Sequence, residues 1–445
     1  MTNAKERVGT TSDDSGATRR EWSFAARAAT WVTCVGVLTV LMLLRQSGEP
    51  PWRTVWAEDG VFVGEAYKFG IGSIDTDYAG YLHVGSRLLA LTGTLVPIDQ
   101  LARFNALSAA LILAVLAVLA FSWSEDLVRS PLLRGMLALA ICLHPITIVE
   151  TLASTTNLEW PLTFLSVLAL LHRPRSRRQM ATQTVIAALA PISQAAALPW
   201  APIALWYVLR GGRDGRKLVG IVFLASCVLQ TLVALSLAVT GNSTALLAPH
   251  SRSPFDIIPV WLAETWGNAI FGFRWMQDLW HANGYRTLVV VGVIAIALIT
   301  FLVMEGKKKR PVVLRGLGLV ALSLVFVAFV VVVRGFPLLS ANELPIGAAH
   351  YVYVSLLLLL TGIFALVEAL PERVRRITTV VLLVQMMILI TFGFRATNGR
   401  SHAPAWHDAV VFARFHCEEA DVTSTVVVIA PDLPWVVEIP CSTVG

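Results

Sequence analysis

The sequence has few charged residues. Asp, Glu, Lys and Arg make up 14% of its 445 positions, whereas an ordinary soluble domain has about 25%. Hydrophobic residues reach 56%, against roughly 45–50% in such a domain. This excess is too large for one packed core, so the composition excludes an ordinary soluble globular protein.

The chain also lacks the short motifs that mark several large functional classes. It contains no Walker loop, no HExxH, no nucleophile elbow and no CxxC pair. These absences argue against an ATP-driven pump, a zinc protease, a serine hydrolase and a thiol-redox protein. The net charge of +6 comes from basic residues spread over short loops, which is typical of membrane topology. We therefore expect no nucleic-acid partner.

Long apolar stretches, by contrast, recur along most of the chain. Each is close to the roughly 20 residues that cross a bilayer, and together they predict about eleven transmembrane helices. They lie at approximately 24–44, 101–121, 132–149, 158–171, 181–193, 196–209, 218–240, 287–304, 312–333, 350–367 and 377–394. The spans 181–193 and 196–209 are short and contain proline, which indicates tilted, broken or re-entrant segments. The predicted fold class is an all-α polytopic integral membrane protein with a small C-terminal α/β tail.

Basic residues divide the breaks between spans into two sets. Lys and Arg are concentrated before the first span and then in every second break, for example at 173–178 and 307–310. Because such residues stay on the cytoplasmic side of short loops, we predict a cytoplasmic N-terminus and an extracytoplasmic C-terminus in a multi-pass protein of a bacterial plasma membrane.

The predicted topology gives three regions. A disordered cytoplasmic tail covers 1–22, because its polar composition cannot bury enough apolar surface to order itself. A transmembrane domain covers 23–394, and an extracytoplasmic tail covers 395–445. The outer loops of the transmembrane domain are 45–100, 241–286 and 334–349.

Two features of the longer outer segments predict local structure. In the tail, residues 422–430 and 435–440 resemble two strands, and a bridge between Cys417 and Cys441 would stabilise that hairpin in an oxidising compartment. Residues 261–280 carry aromatic and polar side chains at helical spacing. They predict an amphipathic helix that lies in the outer membrane interface.

The most informative motif is Trp-Ala-Glu-Asp-Gly at 56–60, in the first outer loop. Adjacent carboxylates beside a membrane span and an apolar run are costly unless they serve a site or stay solvated. Glu58 and Asp59 are therefore candidates for a site. The simpler interpretations are solvated loop acids and, for Asp59, an N-cap of a helix that begins near Val61.

An acidic pair in the first outer loop of a protein with many spans resembles the GT-C superfamily of glycosyltransferases. The resemblance implies a polyprenyl-phosphate sugar donor and a first-loop carboxylate that acts as catalytic base on the acceptor. By this pattern Asp59 is the base and Glu58 its neighbour. The exported tail and the Arg/Ala/Val-rich composition look like actinobacterial cell-wall arabinosyl- and mannosyltransferases.

Sugar transfer from a lipid phosphate also needs positive charge or hydrogen-bond donors at the departing phosphate. His83 and Arg87 are four residues apart, so a helix would place them on one face, and a guanidinium suits bidentate phosphate contact. Snorkelling to the interface is the alternative for Arg87. Later in the chain, Arg334 follows a span directly. GT-C enzymes often have an Arg/Tyr-bearing loop at a corresponding late position in the chain, and that loop contacts the donor. This chain has His350 and Tyr351 there, so the resemblance makes Arg334, His350 and Tyr351 candidates for donor-phosphate binding.

Three further polar residues lie in the outer turn between the third and fourth spans. Glu150, Asn157 and Glu159 are expected to line a pocket or contact a metal, with solvated loop acids as the alternative. Some GT-C enzymes hold a divalent ion with acids, and Glu58 and Asp59 together with these glutamates could supply oxygen ligands for Mg²⁺ or Mn²⁺. Their spacing does not decide the matter.

Together these features predict an inverting membrane glycosyltransferase. It would move a sugar from a polyprenyl phosphate to a cell-envelope glycan or lipid acceptor on the outer face, in contact with membrane lipids. A secondary transporter or lipid flippase is the main alternative, although few charges fall inside the spans and no repeat is obvious. A non-enzymatic membrane scaffold is a further alternative.

Overall fold

The computed structural model describes residues 24–148, 151–210, 215–240, 250–251, 253–337, 349–419, 421–431 and 435–444. The predicted tail 1–22 and Glu150 lie outside these residues. Arg334 is described only by its backbone, at the end of a π-helical turn, Val330–Arg334.

The prediction of an all-α polytopic membrane protein is confirmed, and a helix corresponds to each predicted span. Six of the described stretches are long and apolar enough to cross a membrane, and one of them, Arg286–Val333, contains two successive helices. The helices are α1 Phe24–Leu44, α2 Ala57–Phe69, α3 Val84–Gly93, α4 Leu101–Trp123, α5 Pro131–Leu143, α6 Glu159–Leu171, α7 Arg177–Ser193, α8 Ala201–Arg210, α9 Arg216–Thr240, α10 Ile257–Val260, α11 Asn268–Asn283, α12 Arg286–Gly306, α13 Arg310–Phe329, α14 Ala349–Ala369, α15 Glu372–Gly393 and α16 Trp406–Cys417.

The regular α-helix is broken between α7 and α8, where the sequence predicts broken spans. Pro191 lies inside α7, and a 3-10 helix, Ala195–Trp200, separates the two α-helices. Proline removes a backbone donor and clashes with the preceding turn, which explains the break. The ten residues of α8 rise only about 15 Å, half of the roughly 30 Å hydrocarbon core.

Helix α14 lies at the centre of the bundle, since its apolar stretch within His350–Ala369 is entirely buried. It packs closely on α13 because both helices carry a glycine at the contact. A Cβ added at Gly362 would lie 2.9 Å from the backbone oxygen of Gly316. Small residues of this kind let two helix backbones approach each other within a membrane.

The first outer loop and the C-terminal tail form one layer at the end of the bundle. The tail contains the predicted hairpin as two antiparallel strands, Ser424–Val428 and Val436–Pro440. A second two-residue pairing joins His250–Ser251 to Phe336–Pro337, so the strands are β1 His250–Ser251, β2 Phe336–Pro337, β3 Ser424–Val428 and β4 Val436–Pro440. Phe62 of α2 shares a hydrophobic cluster with Val437 and Trp406 of the tail.

A disulfide links Cys417, at the end of α16, to Cys441, directly after β4. Close packing also holds the hairpin to α2. A Cβ at Gly60 would collide with the side chains of Ile429 and Val437. The outer layer is thus built from segments nearly 400 residues apart in the sequence.

The prediction of an interfacial helix at residues 261–280 is wrong for the first half of the segment, where 263–269 are buried, whereas Arg274, Trp275 and Asp278 in the second half are exposed. This segment is helical, but Trp266 and Trp280 are 1% and 0% exposed. Trp261 donates from Nε1 to Ser323 of α13, and Thr265 hydrogen-bonds Ser355 of α14. Because Trp261 and Thr265 find hydrogen-bond partners inside the bundle, the first half of the segment packs into the core of the bundle and does not lie on the bundle's surface.

Candidate active site

A cavity of about 620 Å³ lies between the outer layer and the helical bundle. It combines aromatic side chains with a carboxylate, an arginine, two histidines and several amides. Such a mixture is typical of a site for a small molecule. The lining residues are Trp56, Ala57, Glu58, Ile148, Asn157, Phe273, Arg274, Gln277, His350, Ala396, Thr397, Asn398, Gly399, His402, Pro431 and Trp435.

Glu58 reaches the cavity because of the way α2 begins. The backbone N–H of Ala57 donates to Ala430 O at 2.6 Å, and Ala430 N donates back to Val55 O at 3.0 Å. These bonds fix the first turn of α2 against the tail. Glu58, in that turn, is half-buried and lines the cavity.

Asp59 lies in the same turn but is 1% exposed. Its Oδ1 accepts hydrogen bonds from Ser154 Oγ at 3.2 Å, Thr155 Oγ1 at 2.9 Å and Thr156 N at 2.8 Å. Its Oδ2 lies 3.8 Å from Nη2 of Arg400. The residue that the resemblance assigns as base is therefore enclosed by protein partners, and it does not line the cavity.

Arg400 is a residue that sequence reasoning missed. Its side chain is buried, and it donates to Ala153 O at 2.9 Å and to Thr54 O at 3.3 Å in addition to facing Asp59. Burial lowers the pKa of Arg400 to about 10, although the Asp59 carboxylate raises it. The guanidinium is thus charged at neutral pH and ties the tail to the first outer loop.

Arg87, a predicted phosphate ligand, is also turned into the protein. It is 0% exposed, and Nη1 donates to Glu65 Oε2 at 2.5 Å and to Ser73 O at 2.8 Å. Its guanidinium carbon lies 4.5 Å from the centre of the Phe62 ring. The buried guanidinium therefore stabilises the outer layer, and Arg87 is not one of the residues that line the cavity.

His83 and Glu159 form a buried pair away from the cavity. Nδ1 of His83 lies 2.9 Å from Oε2 of Glu159, and Nε2 lies 3.0 Å from Tyr78 O. The other carboxylate oxygen of Glu159 accepts from Gln194 Nε2 at 2.5 Å. His83 and Glu159 therefore link the first outer loop to the start of α6.

The acids do not assemble into the proposed metal site. Asp59 and Glu159 already hold protein donors, and Glu150 is outside the described residues. Within the described ranges, no three His, Cys, Asp or Glu side chains are grouped to bind a metal. Of the outer-turn candidates, Asn157 lines the cavity. The acids among the described residues therefore do not form a site that fits Mg²⁺ or Mn²⁺.

His350, the candidate from the late loop, lines the cavity at the start of α14. Tyr351 is not one of the lining residues; its ring packs edge-on against Trp160, with ring centres 5.5 Å apart, and lies 3.9 Å from the His350 ring. The His350 ring also contacts Trp160, at 5.2 Å. Both neighbours therefore pack against Trp160, and of the two it is His350 that lines the cavity.

A mainly apolar groove of about 210 Å³, which Asp278 also lines, adjoins the cavity along α15 and shares Phe273 and Arg274 with it. Its walls include Phe271, Trp275, Leu389 and Phe392. Gly272 opens the groove, because its φ of +72° is a conformation that L side chains rarely adopt and it kinks α11 there. The groove therefore adjoins the cavity beside α15, a helix long and apolar enough to span the membrane.

Arg274 lies where the cavity and the groove meet, since it lines both. It is exposed, and Nη2 is 3.5 Å from Thr397 Oγ1. The sequence offers no motif around Arg274. The available indication was a basic residue in an aromatic stretch on the side of the membrane where few basic residues are expected.

The tail contributes Asn398, His402 and Trp435 to the cavity. Asn398 is held by Gln46 and by Ile148 O, to which its Nδ2 donates at 2.6 Å. No local pattern in the sequence distinguishes these residues. They become part of the site only because the tail folds back over the first loop.

No protein-family model matches the chain, and no curated protein matches it. Among solved structures, the chain is similar to the crystal structure of ArnT from Cupriavidus metallidurans in the apo state. The identity is 12% over 95% of this chain and 99% of that one, with a TM-score of 0.33. At this TM-score the similarity carries no conclusion about activity.

Proposed function

We propose that the protein is a membrane glycosyltransferase that moves a sugar from a polyprenyl-phosphate donor to a cell-envelope glycan or lipid acceptor. The position of Arg274 is the observation that carries this proposal. A lipid-linked sugar has an apolar chain, a phosphate and a polar ring in that order. The groove, Arg274 and the cavity provide matching environments in the same order.

In this arrangement the donor lies with its chain in the groove and its phosphate at Arg274. The groove runs along α15, which spans the membrane, so the chain can enter from the lipid. A guanidinium at the phosphate is suited to stabilise the negative charge that develops as the sugar leaves. The sugar then occupies the cavity between Trp56, Glu58 and Trp435.

Glu58 is our candidate for the general base, in place of Asp59. It takes the proton from the acceptor hydroxyl as the hydroxyl oxygen bonds to the anomeric carbon and the bond to the phosphate oxygen breaks. The sugar is transferred with inversion, and the phosphate departs with the bonding electrons. Support comes from the exposure of Glu58 to the cavity and from the enclosure of Asp59 by donors.

The test is sugar transfer by the purified full-length protein in detergent, from a panel of polyprenyl-phosphate sugars to cell-envelope glycans. We expect wild type to transfer at least one sugar, and Glu58→Gln to lose about 10²–10⁴-fold in kcat. Glu418→Gln is the matched control, because Glu418 is an exposed acid outside the cavity, and it should transfer at the wild-type rate.

Two results would contradict the proposal. Equal transfer by wild type and Glu58→Gln removes Glu58 as base. Failure of wild type with every donor, combined with movement of a lipid-linked sugar between leaflets of reconstituted vesicles, would favour a lipid flippase.

A further inference from the structure

A second large cavity lies at the opposite end of α5 and α6 from the candidate active site. It is a cleft of about 760 Å³ that gathers six arginines and two acids from separate segments. The lining residues are Glu125, Asp126, Leu127, Arg129, Arg134, Leu171, Arg173, Arg175, Tyr207, Arg216 and Arg315. We refer to it as the arginine cleft.

The two acids of the arginine cleft are already engaged. Arg175 donates to Glu125 Oε1 at 2.6 Å and to Asp126 Oδ1 at 3.3 Å, and these contacts raise the pKa of Arg175. Arg134 lies 3.8 Å from the second oxygen of Glu125, and the backbone N–H of Arg173 donates to Asp126 Oδ2. The acids thus balance part of the charge and leave the cleft strongly positive.

Besides Arg175, which pairs with the two acids, three more arginines of the cleft are exposed, namely Arg129, Arg173 and Arg315. They come from the start of the α5 region, the break after α6 and the first turns of α13. Guanidinium groups that converge from different segments suit a phosphate, which accepts several hydrogen bonds at once.

The surroundings of the cleft distinguish a lipid from a free phosphate. Trp206, Leu209, Leu218 and Leu314 are large apolar side chains exposed on α8, α9 and α13, next to the cleft-lining residues in sequence. Arg210 lies over the Trp206 ring at 4.1 Å. A phosphate in the cleft would therefore have apolar helix faces beside it on which acyl chains can lie.

We propose that the arginine cleft binds the phosphate headgroup of an anionic membrane lipid. Basic pockets between transmembrane helices recognise such headgroups through this combination of charge and adjoining apolar surface. The site is separate from the candidate active site, so the proposal does not depend on sugar transfer. It adds a lipid requirement on the face where the basic breaks predict the cytoplasm.

The experiment counts lipids that stay bound to the full-length protein in detergent, by native mass spectrometry. Phosphatidylglycerol is compared with phosphatidylcholine for wild type, for Arg129→Gln/Arg315→Gln, and for Lys307→Gln/Lys308→Gln. The last variant is the matched control, because it removes the same charge from exposed lysines that do not line the cleft. The thermal midpoint of each variant verifies that it is folded.

We expect wild type and the lysine variant to retain phosphatidylglycerol in preference to phosphatidylcholine. The arginine variant should lose roughly 10- to 30-fold of that preference. Equal losses in both variants would overturn the proposal in favour of a general surface charge effect. Displacement of the lipid by millimolar inorganic phosphate would overturn the assignment to a lipid headgroup in favour of a soluble phosphate compound.

Discussion

Asp59 and Glu58 are adjacent acids, but we expect the loss of their charges to have different effects: on stability for Asp59 and on sugar transfer for Glu58. The Asp59→Asn substitution keeps the shape of the side chain and removes its negative charge. Arg400 would then be a buried guanidinium 3.8 Å from a neutral amide. Glu58→Gln removes a charge from a half-buried position on the cavity wall.

The expected size of the Asp59 effect follows from this distance. Two unit charges 3.8 Å apart attract each other by about 4 kcal/mol at an effective dielectric constant of about 20. Breaking a buried ion pair by removing one partner usually costs about 3–5 kcal/mol. Asp59→Asn should therefore lower the free energy of unfolding by about 4 kcal/mol, and Glu58→Gln should change it by less than about 0.5 kcal/mol.

The assay combines thermal unfolding of purified protein in detergent with sugar transfer at a temperature where every variant is folded. A double-mutant cycle with Arg400→Gln isolates the pair, since the double variant no longer contains an unpaired buried charge. Its loss of stability should be smaller than the sum of the two single losses. Transfer by Asp59→Asn, measured per folded molecule, should remain well above transfer by Glu58→Gln.

The reasoning is refuted if Asp59→Asn unfolds at the wild-type temperature and has no transfer activity while Glu58→Gln transfers normally. That result would make Asp59 the base, as the resemblance to GT-C enzymes implies. It would also mean that Arg400 tolerates the loss of its counter-charge.

Three further predictions concern the groove and the tail. Arg274→Gln should lower kcat roughly 100- to 1,000-fold in steady-state transfer, because charge on the departing phosphate loses its partner, and Arg274→Lys should recover part of the loss. Gly272→Ala places a Cβ 3.1 Å from Leu389 in the groove wall, so KM should rise more for a long-chain donor than for a short-chain analogue. Cys417→Ser removes the disulfide between two residues 24 positions apart and should destabilise the tail by about 3 kcal/mol. The measurement is the rate of proteolysis of the tail, which should increase in Cys417→Ser and stay unchanged in the control Cys34→Ser.

The spans were predictable because a membrane imposes a simple rule on the chain. Every crossing segment must be apolar and must satisfy its own backbone hydrogen bonds, so hydropathy alone finds the helices. The same rule misled the interpretation of residues 261–280. Polar groups there are paired inside the bundle with Ser323 and Ser355, and such pairing depends on helices that are distant in the sequence.

The candidate site was predictable only in part, because the first-loop motif does not show which carboxylate faces the cavity. Residues 58 and 59 project in different directions from one helical turn, and the tail decides which direction is buried. The partner of Asp59 is Arg400, which no local pattern connects to it. Glu58 and Asn157 were nevertheless included among the candidates, and both line the cavity.

Arginines on the predicted outer side of the membrane are informative because the distribution of basic residues disfavours them there. Arg45, Arg87 and Arg400 are each at most 2% exposed and donate to backbone carbonyls. They hold the outer layer to the bundle. Arg274, by contrast, is exposed at the junction of cavity and groove. Arg45, Arg87 and Arg400 are buried in protein and therefore out of reach of a phosphate, whereas the exposed Arg274 can contact one at the junction of the cavity and the groove.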